Sequence, residues 1–283
     1  MADGTIAPVL QERGRTRQAS LSFACAGGRT ILLRQHVPYP FHVTRPFHLD
    51  VARPDLATLY LQSVSGGVYG GDDLSLALEL GAGAAAHVTT QAATIVHDCR
   101  GQAAQMTLRA RLAQGAFLAL TPDPLVLFPG ADIATETDLL LHEGGRAVLL
   151  ESASLHDPLQ AGRPFARFHA SLTVRDAAGR VRLSDRGGID GAALDGPAVL
   201  GAHRAWASLL VVGPADSLPD PGLLQQQAEA AGCLCGAGAA PGGIGLAARL
   251  AGPDGGTLGR CLDRLWPRCA AALLGVTLAP RRK

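Results

Sequence analysis

The sequence predicts a mainly β protein whose sheets are rich in antiparallel strands, with two helices towards the C-terminal side. Between residues 20 and 212, many segments alternate apolar and polar side chains with a period of two. Gly, Pro and Asp separate these segments at intervals too short for the helical crossovers of a parallel α/β sheet. Helical periodicity becomes convincing only after residue 212.

Period-two alternation is clearest in RFHASLTVR (167–175), which reads as a half-buried strand. The turn residues DAAG (176–179) lead into RVRLS, so this pair is predicted to form a hairpin. The other predicted strands are GRTILLRQHV (28–37), ATLYLQSV (57–64), LSLALEL (74–80), AAHVTTQ (85–91), MTLRARL (106–112), GAFLAL (115–120) and GRAVLLES (145–152).

Two helices are predicted near the C-terminal side. DPGLLQQQAEAAG (220–232) starts with Asp and Pro and stops at Gly, as a short capped helix does. A second helix is expected from Thr257 to Leu274, with Pro267 kinking or starting it. Its apolar stripe either covers the β core or forms a docking surface for a partner; the stripe consists of Leu258, Leu262, Leu265, Trp266 and Leu273.

Chain length and composition set the remaining boundaries. We expect one domain over residues 1–283, with residues 1–19 disordered and residues 213–283 as its helix-containing part. CGAGAAPGG (235–243) is predicted to be a loop. Cys233 and Cys235 in CLC offer two neighbouring sulfurs as soft metal ligands, but they are interpreted as incidental.

Charge and targeting signals exclude several classes of function. A net charge of +1 and a pI of about 7.7 give no field that would attract nucleic acid or an anionic membrane. Lys283 is the only lysine, which argues against lysine-nucleophile chemistry. No signal peptide or membrane span is recognisable, so a cytoplasmic protein with reduced cysteines is expected.

The stretch SVSGGVYGGDDL (63–74) combines four glycines with two adjacent aspartates. It is not a phosphate-binding loop, because no lysine follows the last glycine and a strand rather than a helix comes next. Two alternatives stay open: the glycines form turns that Asp72 caps, or the bends bring Asp72 to a buried place where its charge matters. The nine histidines are scattered and are interpreted as ordinary core or surface residues.

A series of ordered segments resembles the urease accessory protein UreD (UreH) family. GGVYGGD (66–72) is similar to a GG-x-x-GGD signature of that family, and TTQAATIVH (89–97) follows at the family's spacing. The remaining matches, in chain order, are GGRT (27–30), PFHVTRPF (40–47), LVLFPGADI (125–133), LLES (149–152), GR (162–163) and PGGIGLAARL (241–250).

The resemblance implies a β-helix-like scaffold protein that catalyses no reaction itself. It implies partnership with UreF, UreG and the urease apoprotein, to which nickel is delivered while UreG hydrolyses GTP, and it leaves a dimer formed through these partners open. No tightly bound cofactor is implied; nickel(II) would be in transit. No nucleic acid or membrane partner is expected.

By similarity to the family, Asp72, Thr90, Gln91 and Glu151 are the candidates for lining an internal passage, with Asp72 and Glu151 as transient nickel ligands. Carboxylates and water suit a site that must release its metal. The simpler readings are a turn cap for Asp72 and an ion pair with an arginine such as Arg163 for Glu151. A second function is also open: a β-rich hydrolase using Asp72 and Glu151 as a carboxylate pair, although 4% aromatic residues argue against a sugar-binding groove.

Overall fold

Two stacked β-sheets and a layer of two helices form the structure, a computed structural model that describes residues 14–196 and 198–279. The seven strands of sheet A, in spatial order, are β14 (Val181–Asp190), β13 (Arg167–Asp176), β11 (Asp132–Leu141), β8 (Ala104–Leu112), β5 (Asp73–Leu80), β1 (Thr16–Ala26) and β2 (Arg29–His36).

Sheet B contains the other strands. In spatial order its main path is β16 (Leu234–Ala239), β17 (Gly245–Gly252), β15 (Ala205–Val212), β12 (Arg146–Leu155), β9 (Phe117–Thr121), β6 (Ala85–Thr90), β4 (Leu56–Ser63) and β3 (Phe41–Val43). The short strands β7 (Thr94–Val96) and β10 (Leu125–Leu127) join it through β12.

The chain winds between the two sheets like a solenoid. From β4 to β13 it crosses repeatedly from sheet B to sheet A and back, and the strands that each sheet gains in this way pair in parallel. The mainly β, β-helix-like fold with two helices near the C-terminal side is confirmed. The antiparallel prediction is wrong for the centre of both sheets, because a strand in the opposite sheet serves as the crossover that a helix would otherwise provide.

Antiparallel pairs are confined to the ends of the solenoid. The predicted hairpin is confirmed, since β13 and β14 pair antiparallel with a register shift after Val174. β1 and β2 form a second antiparallel pair, β3 and β4 a third, and β15, β16 and β17 continue sheet B antiparallel beyond β12.

Strand alternation decides which side chains fill the space between the sheets. Leu76, Leu78 and Leu80 of β5 point towards sheet B and pack with Leu59 and Leu118 of that sheet in one apolar cluster. Burial of such leucines contributes about 25 cal/mol for each Å² of apolar surface removed from water. This inter-sheet apolar cluster holds the two sheets together.

Both predicted helices are confirmed, and their ends follow the sequence cues. α1 (Pro221–Ala230) begins after Asp220, whose side chain accepts a hydrogen bond from the amide of Leu223 at 3.0 Å. α2 (Gly255–Leu274) begins after Asp254, which accepts from the amide of Thr257 at 2.7 Å. Pro267 lies inside α2 rather than at its start.

The apolar stripe of α2 covers the outer face of sheet B. All five stripe residues are buried in a cluster with residues of β12, β15 and β17, so the core-covering alternative is confirmed and the exposed docking stripe is wrong. Neither helix in the described residues is long and apolar enough to cross a membrane.

Two predictions about irregular segments need correction. The predicted loop at 235–243 is largely strand β16, which pairs with β17, and only Pro241–Gly243 forms a short 3₁₀ turn. Cys235 therefore belongs to a strand, and Cys233 is buried at its start. Of the predicted disordered segment 1–19, residues 1–13 lie outside the described residues, and Thr16 to Ala19 belong to β1.

Candidate functional site

Glu151 lies on the face of β12 that points towards sheet A. The hydroxyl of Thr135, on β11 of sheet A, donates a hydrogen bond to its Oε1 at 2.5 Å. Burial raises the pKa of Glu151; the Thr135 hydrogen bond and the charge of Arg249 oppose this effect, and the charge of Asp185 adds to it. Glu151 is therefore a half-buried acid that has no ion-pair partner among the described residues.

The predicted ion pair between Glu151 and Arg163 is not formed. Arg163 instead pairs with Asp157, at 2.7 Å between Nη2 and Oδ1, on the surface loop that follows β12. The loop itself places Asp157 beside Arg163, because the Asp157 carboxylate also accepts hydrogen bonds from the backbone amides of Leu159, Ala161 and Arg163.

A polar row crosses the inner face of sheet B at Glu151. Strand register places Glu151 opposite Ser208 of β15, and Ser208 opposite Arg249 of β17. Arg249 donates hydrogen bonds to the Ser208 hydroxyl and to the carboxylate of Asp185 on β14. The two sheets are thus joined twice along this row, by Thr135 with Glu151 and by Asp185 with Arg249.

The polar row separates two apolar clusters. On one side Leu149 and Leu210 belong to the main inter-sheet cluster. On the other side, Ala153 and Trp206 belong to a second cluster, in which Phe168 packs edge-on against Trp206 with ring centroids 5.3 Å apart. The sheets are therefore held apart between two packed regions.

Two cavities open along this separation and meet at Glu151. The larger has a volume of about 910 Å³ and reaches the edge formed by β14 and β16, and the smaller, of about 760 Å³, extends to β4 and β6. Both have mainly apolar walls. The residues that line both cavities are Leu120, Thr137, Leu150, Glu151 and Ser152. The two cavities occupy the space in which the predicted passage would run, with the Glu151 carboxylate on their shared wall.

Thr90 and Gln91 line the smaller cavity, as does Glu151. The Thr90 hydroxyl accepts a hydrogen bond from the amide of Asp123 at 2.7 Å. Gln91 lies at the exposed end of the cavity, where Gln62 donates to its side-chain oxygen and contacts Nδ1 of His42 at 2.6 Å. Three of the four residues predicted to line a passage therefore line one cavity, and the passage itself stays a prediction.

Asp72 is placed differently. It is buried, yet it does not belong to the walls of either cavity. Its carboxylate accepts from the backbone amide and Nε of Arg15, each at 2.9 Å, from Nη2 of Arg15, and from the amide of Tyr69 at 2.9 Å. Burial by itself raises the pKa of Asp72, but these hydrogen bonds outweigh it and hold the pKa below its ordinary value. The geometry favours the turn-cap alternative, and a metal-ligand role for Asp72 stays a prediction.

The glycines around Asp72 allow neighbouring backbone segments to pass close to each other. Gly67 has a φ of 140°, and a Cβ there would overlap the carbonyl oxygen of Ile95. A Cβ at Gly70 would overlap the carbonyl oxygen of Cys99. Gly67 lines the smaller cavity and accepts a hydrogen bond from Nη2 of Arg15 at 3.2 Å. Through Arg15, Asp72 therefore fixes one wall of the smaller cavity without facing it.

Comparison with known proteins agrees with this reading of the motifs. A sequence profile described as "UreD urease accessory protein" matches residues 15–283. The chain belongs to the UreD urease accessory protein family. It is 48% identical over 272 residues to "Urease accessory protein UreD 1" of Methylorubrum extorquens (strain PA1), covering 95% of this chain and 92% of the relative. The resemblance drawn from the motifs is confirmed.

Further relatives match over the same span. "Urease accessory protein UreD 3" of Bradyrhizobium sp. (strain ORS 278) is 48% identical over 270 residues, with 95% of this chain and 96% of the relative covered. "Urease accessory protein UreD 1" of Pseudomonas syringae pv. syringae (strain B728a) is 32% identical over 272 residues, covering 94% and 95%. The UreD match therefore includes both sheets and both helices.

Several members of the polar row were not predicted from the UreD motifs. Thr135, Asp185 and Ser208 lie outside the segments that carried the resemblance, and Arg249 lies within PGGIGLAARL (241–250) but was not predicted as a site residue. Each is a polar residue in the inward phase of a strand, where its neighbours two positions away are apolar or small. That break in the alternation is the signal that could have identified them.

The donor set of the row suits a weakly held cation. Glu151, Thr135 and Ser208 offer oxygen atoms. Within the described residues no group of three or more His, Cys, Asp or Glu side chains could enclose a metal ion. A cation in this UreD passage would therefore keep most of its water ligands and exchange easily.

Proposed function

We propose that this chain is a urease maturation factor that catalyses no reaction itself. It acts as a scaffold with UreF and UreG and helps to insert nickel into the urease apoprotein, with nickel as the cargo of the inter-sheet passage. Family membership supports the link to urease. The observation that supports the passage is the position of Glu151, a half-buried carboxylate on the wall shared by two cavities.

The physical chemistry of the passage fits transit better than storage. One carboxylate attracts a divalent cation, whereas a closed set of thiolates and imidazoles would retain it. A water molecule occupies roughly 30 Å³ in the liquid. The smaller cavity, with a volume of about 760 Å³, therefore has room for a cation with its water shell.

The hydrolase alternative has no geometric support. A glycosidase-type pair needs two carboxylates that face one cleft, roughly 5–10 Å apart. Here the Asp72 carboxylate is bound by Arg15 and by the Tyr69 amide, whereas Glu151 faces the space between the sheets. The two carboxylates do not share a cavity.

Nickel loading of urease tests the proposal. Glu151→Gln removes the negative charge and keeps the shape, so we expect urease co-expressed with its accessory proteins to contain several-fold less nickel. Glu143→Gln is the matched control, because Glu143 is exposed on the turn before β12. Nickel per urease is measured by elemental analysis of purified urease, with equal amounts of each variant verified by immunoblot.

Two results separate the parts of the proposal. Normal nickel content with Glu151→Gln contradicts a role of this carboxylate in the passage. Absence of UreF, UreG and urease subunits from the eluate, when the tagged chain is purified from a urease-positive lysate, contradicts the scaffold role. A cytoplasmic location stays a prediction, which fractionation of the same cells tests.

A further inference from the structure

An ion pair stands at the mouth of the larger cavity. Arg249 of sheet B reaches Asp185 of sheet A, and their side chains are 56% and 37% exposed, so the pair stands at the entrance. The neighbouring wall residues Gly187 and Gly236 carry no side chain, and a Cβ at either would meet nothing within 4 Å. The ion pair is therefore what spans an otherwise open edge.

Arg249 lies within the influence of a second carboxylate. Glu151 is in the same cross-strand row, with Ser208 between them. Neighbouring strands are about 4.8 Å apart, so the backbones of Glu151 and Arg249 are about 10 Å apart. The guanidinium already contacts the Ser208 hydroxyl, halfway to Glu151. Rotation of one flexible side chain can therefore move this positive charge from Asp185 towards Glu151.

The two arrangements differ in the charge that the passage presents. With Arg249 bound to Asp185, these two charges cancel at the mouth and Glu151 keeps its own field. With Arg249 turned inwards, the guanidinium cancels the charge of Glu151 and repels cations. Exposed ion pairs of this kind contribute little to stability, so exchange between the arrangements is inexpensive.

We propose that Arg249 is a positioning residue of the passage, held at the mouth by Asp185 so that Glu151 remains available to a passing cation. The inference rests on the proposed function in naming nickel as that cation. The positions of the Arg249, Asp185 and Glu151 charges depend neither on nickel nor on a partner protein. Loss of the Asp185 charge releases Arg249 to Glu151 and makes the passage selective against cations.

A cysteine inside the passage reports this selectivity directly. Thr137→Cys places a thiol on the wall shared by both cavities. Its reaction rates with a trimethylammonium-ethyl and a sulfonato-ethyl methanethiosulfonate are compared by peptide mass spectrometry, with exposed Cys25 as internal reference. Adding Asp185→Asn is expected to lower the cation-to-anion rate ratio about tenfold, and further adding Arg249→Gln to restore it.

A matched control isolates the effect of position. Asp138→Asn breaks a similar inter-strand ion pair with Arg175 on the outer face of sheet A and is expected to leave the rate ratio unchanged. If the Thr137→Cys protein does not fold, Leu172→Cys supplies a second reporter on the wall of the larger cavity, opposite Asp185 in the β13–β14 register. Thermal unfolding verifies that each variant is folded.

The rate ratios test the role of Arg249 independently of the proposed function. An unchanged ratio with Asp185→Asn, or a lowered ratio that Arg249→Gln does not relieve, overturns the role of Arg249. These rates need neither nickel nor urease. A shifted rate ratio therefore supports the positioning role of Arg249 whatever the nickel result. If Glu151→Gln leaves nickel loading normal in that case, only the nickel passage is rejected.

Discussion

Replacing Arg15 with methionine removes the guanidinium that neutralises the buried carboxylate of Asp72. Of the donors in the described part of the chain, two backbone amides would remain, those of residue 15 and Tyr69. Breaking a buried ion pair from one side costs about 3–5 kcal/mol, and because Arg15 is 18% exposed we expect the lower end, about 3 kcal/mol. Contacts of the guanidinium with the Tyr39 and Tyr69 rings are lost as well.

This loss is measurable by thermal unfolding followed by circular dichroism. The unfolding entropy of about 2.1 cal/mol/K per residue gives a chain of this length roughly 0.6 kcal/mol/K, so Tm should fall by about 5 °C. The control is Arg175→Met, whose ion pair with Asp138 has both side chains about one-third exposed. It should cost less than about 1 kcal/mol. Equal losses in the two variants would refute the argument from burial.

The pH dependence supplies a second test of the same ion pair. Because the pKa of Asp72 in the folded protein lies below its ordinary value of about 3.9, the stabilisation is complete above that pH. It is lost as the pH falls through the depressed pKa. The difference in Tm between wild type and Arg15→Met should therefore be constant near neutral pH and shrink in acid. A difference that grows on acidification would contradict this assignment.

Three further predictions concern other parts of the structure. Burial raises the pKa of Glu151, so its negative charge destabilises the folded protein at pH values above its ordinary pKa of about 4.3. Glu151→Gln removes this charge and should raise Tm near pH 8, and the gain in Tm should vanish in acid. Trp266→Ala removes a ring packed 4.4 Å from His87 under α2 and should cost about 3–5 kcal/mol in urea unfolding, well above any surface change. Gly70→Ala forces a Cβ against a backbone carbonyl and should lower Tm by several degrees, whereas Gly187→Ala, which points into open space, should leave it unchanged.

Local structure was largely predictable because its causes lie close together in the chain. The strands around Phe168 and Leu76 follow from alternation over a few residues. The first helix begins after Asp220, as predicted, and the second begins two residues before the predicted start at Thr257. The glycine motif before Asp72 indicated both the turns and the family. The strand at Leu234–Ala239 was missed because its glycines and alanines carry too little side chain to show a period.

Pairing between strands was not predictable from those local patterns. Alternation places Leu118 and Leu149 on one face of their strands, yet it is the same whether the neighbouring strand is parallel or antiparallel. In the centre of both sheets neighbouring strands run parallel because the chain returns through the opposite sheet before it adds the next strand. That choice is made by contacts among strands that are far apart in sequence.

The sequence by itself determined both helices and many of the strands, and its motifs identified the family and predicted three residues that line the smaller cavity. Only the tertiary structure decided the difference between the two carboxylates. Asp72 is neutralised by Arg15, 57 positions away, whereas Glu151 meets a hydroxyl from the opposite sheet and no ion-pair partner among the described residues. The physical reason is that the charge a carboxylate presents depends on the groups that folding brings within hydrogen-bond distance, and distant parts of the chain supply those groups.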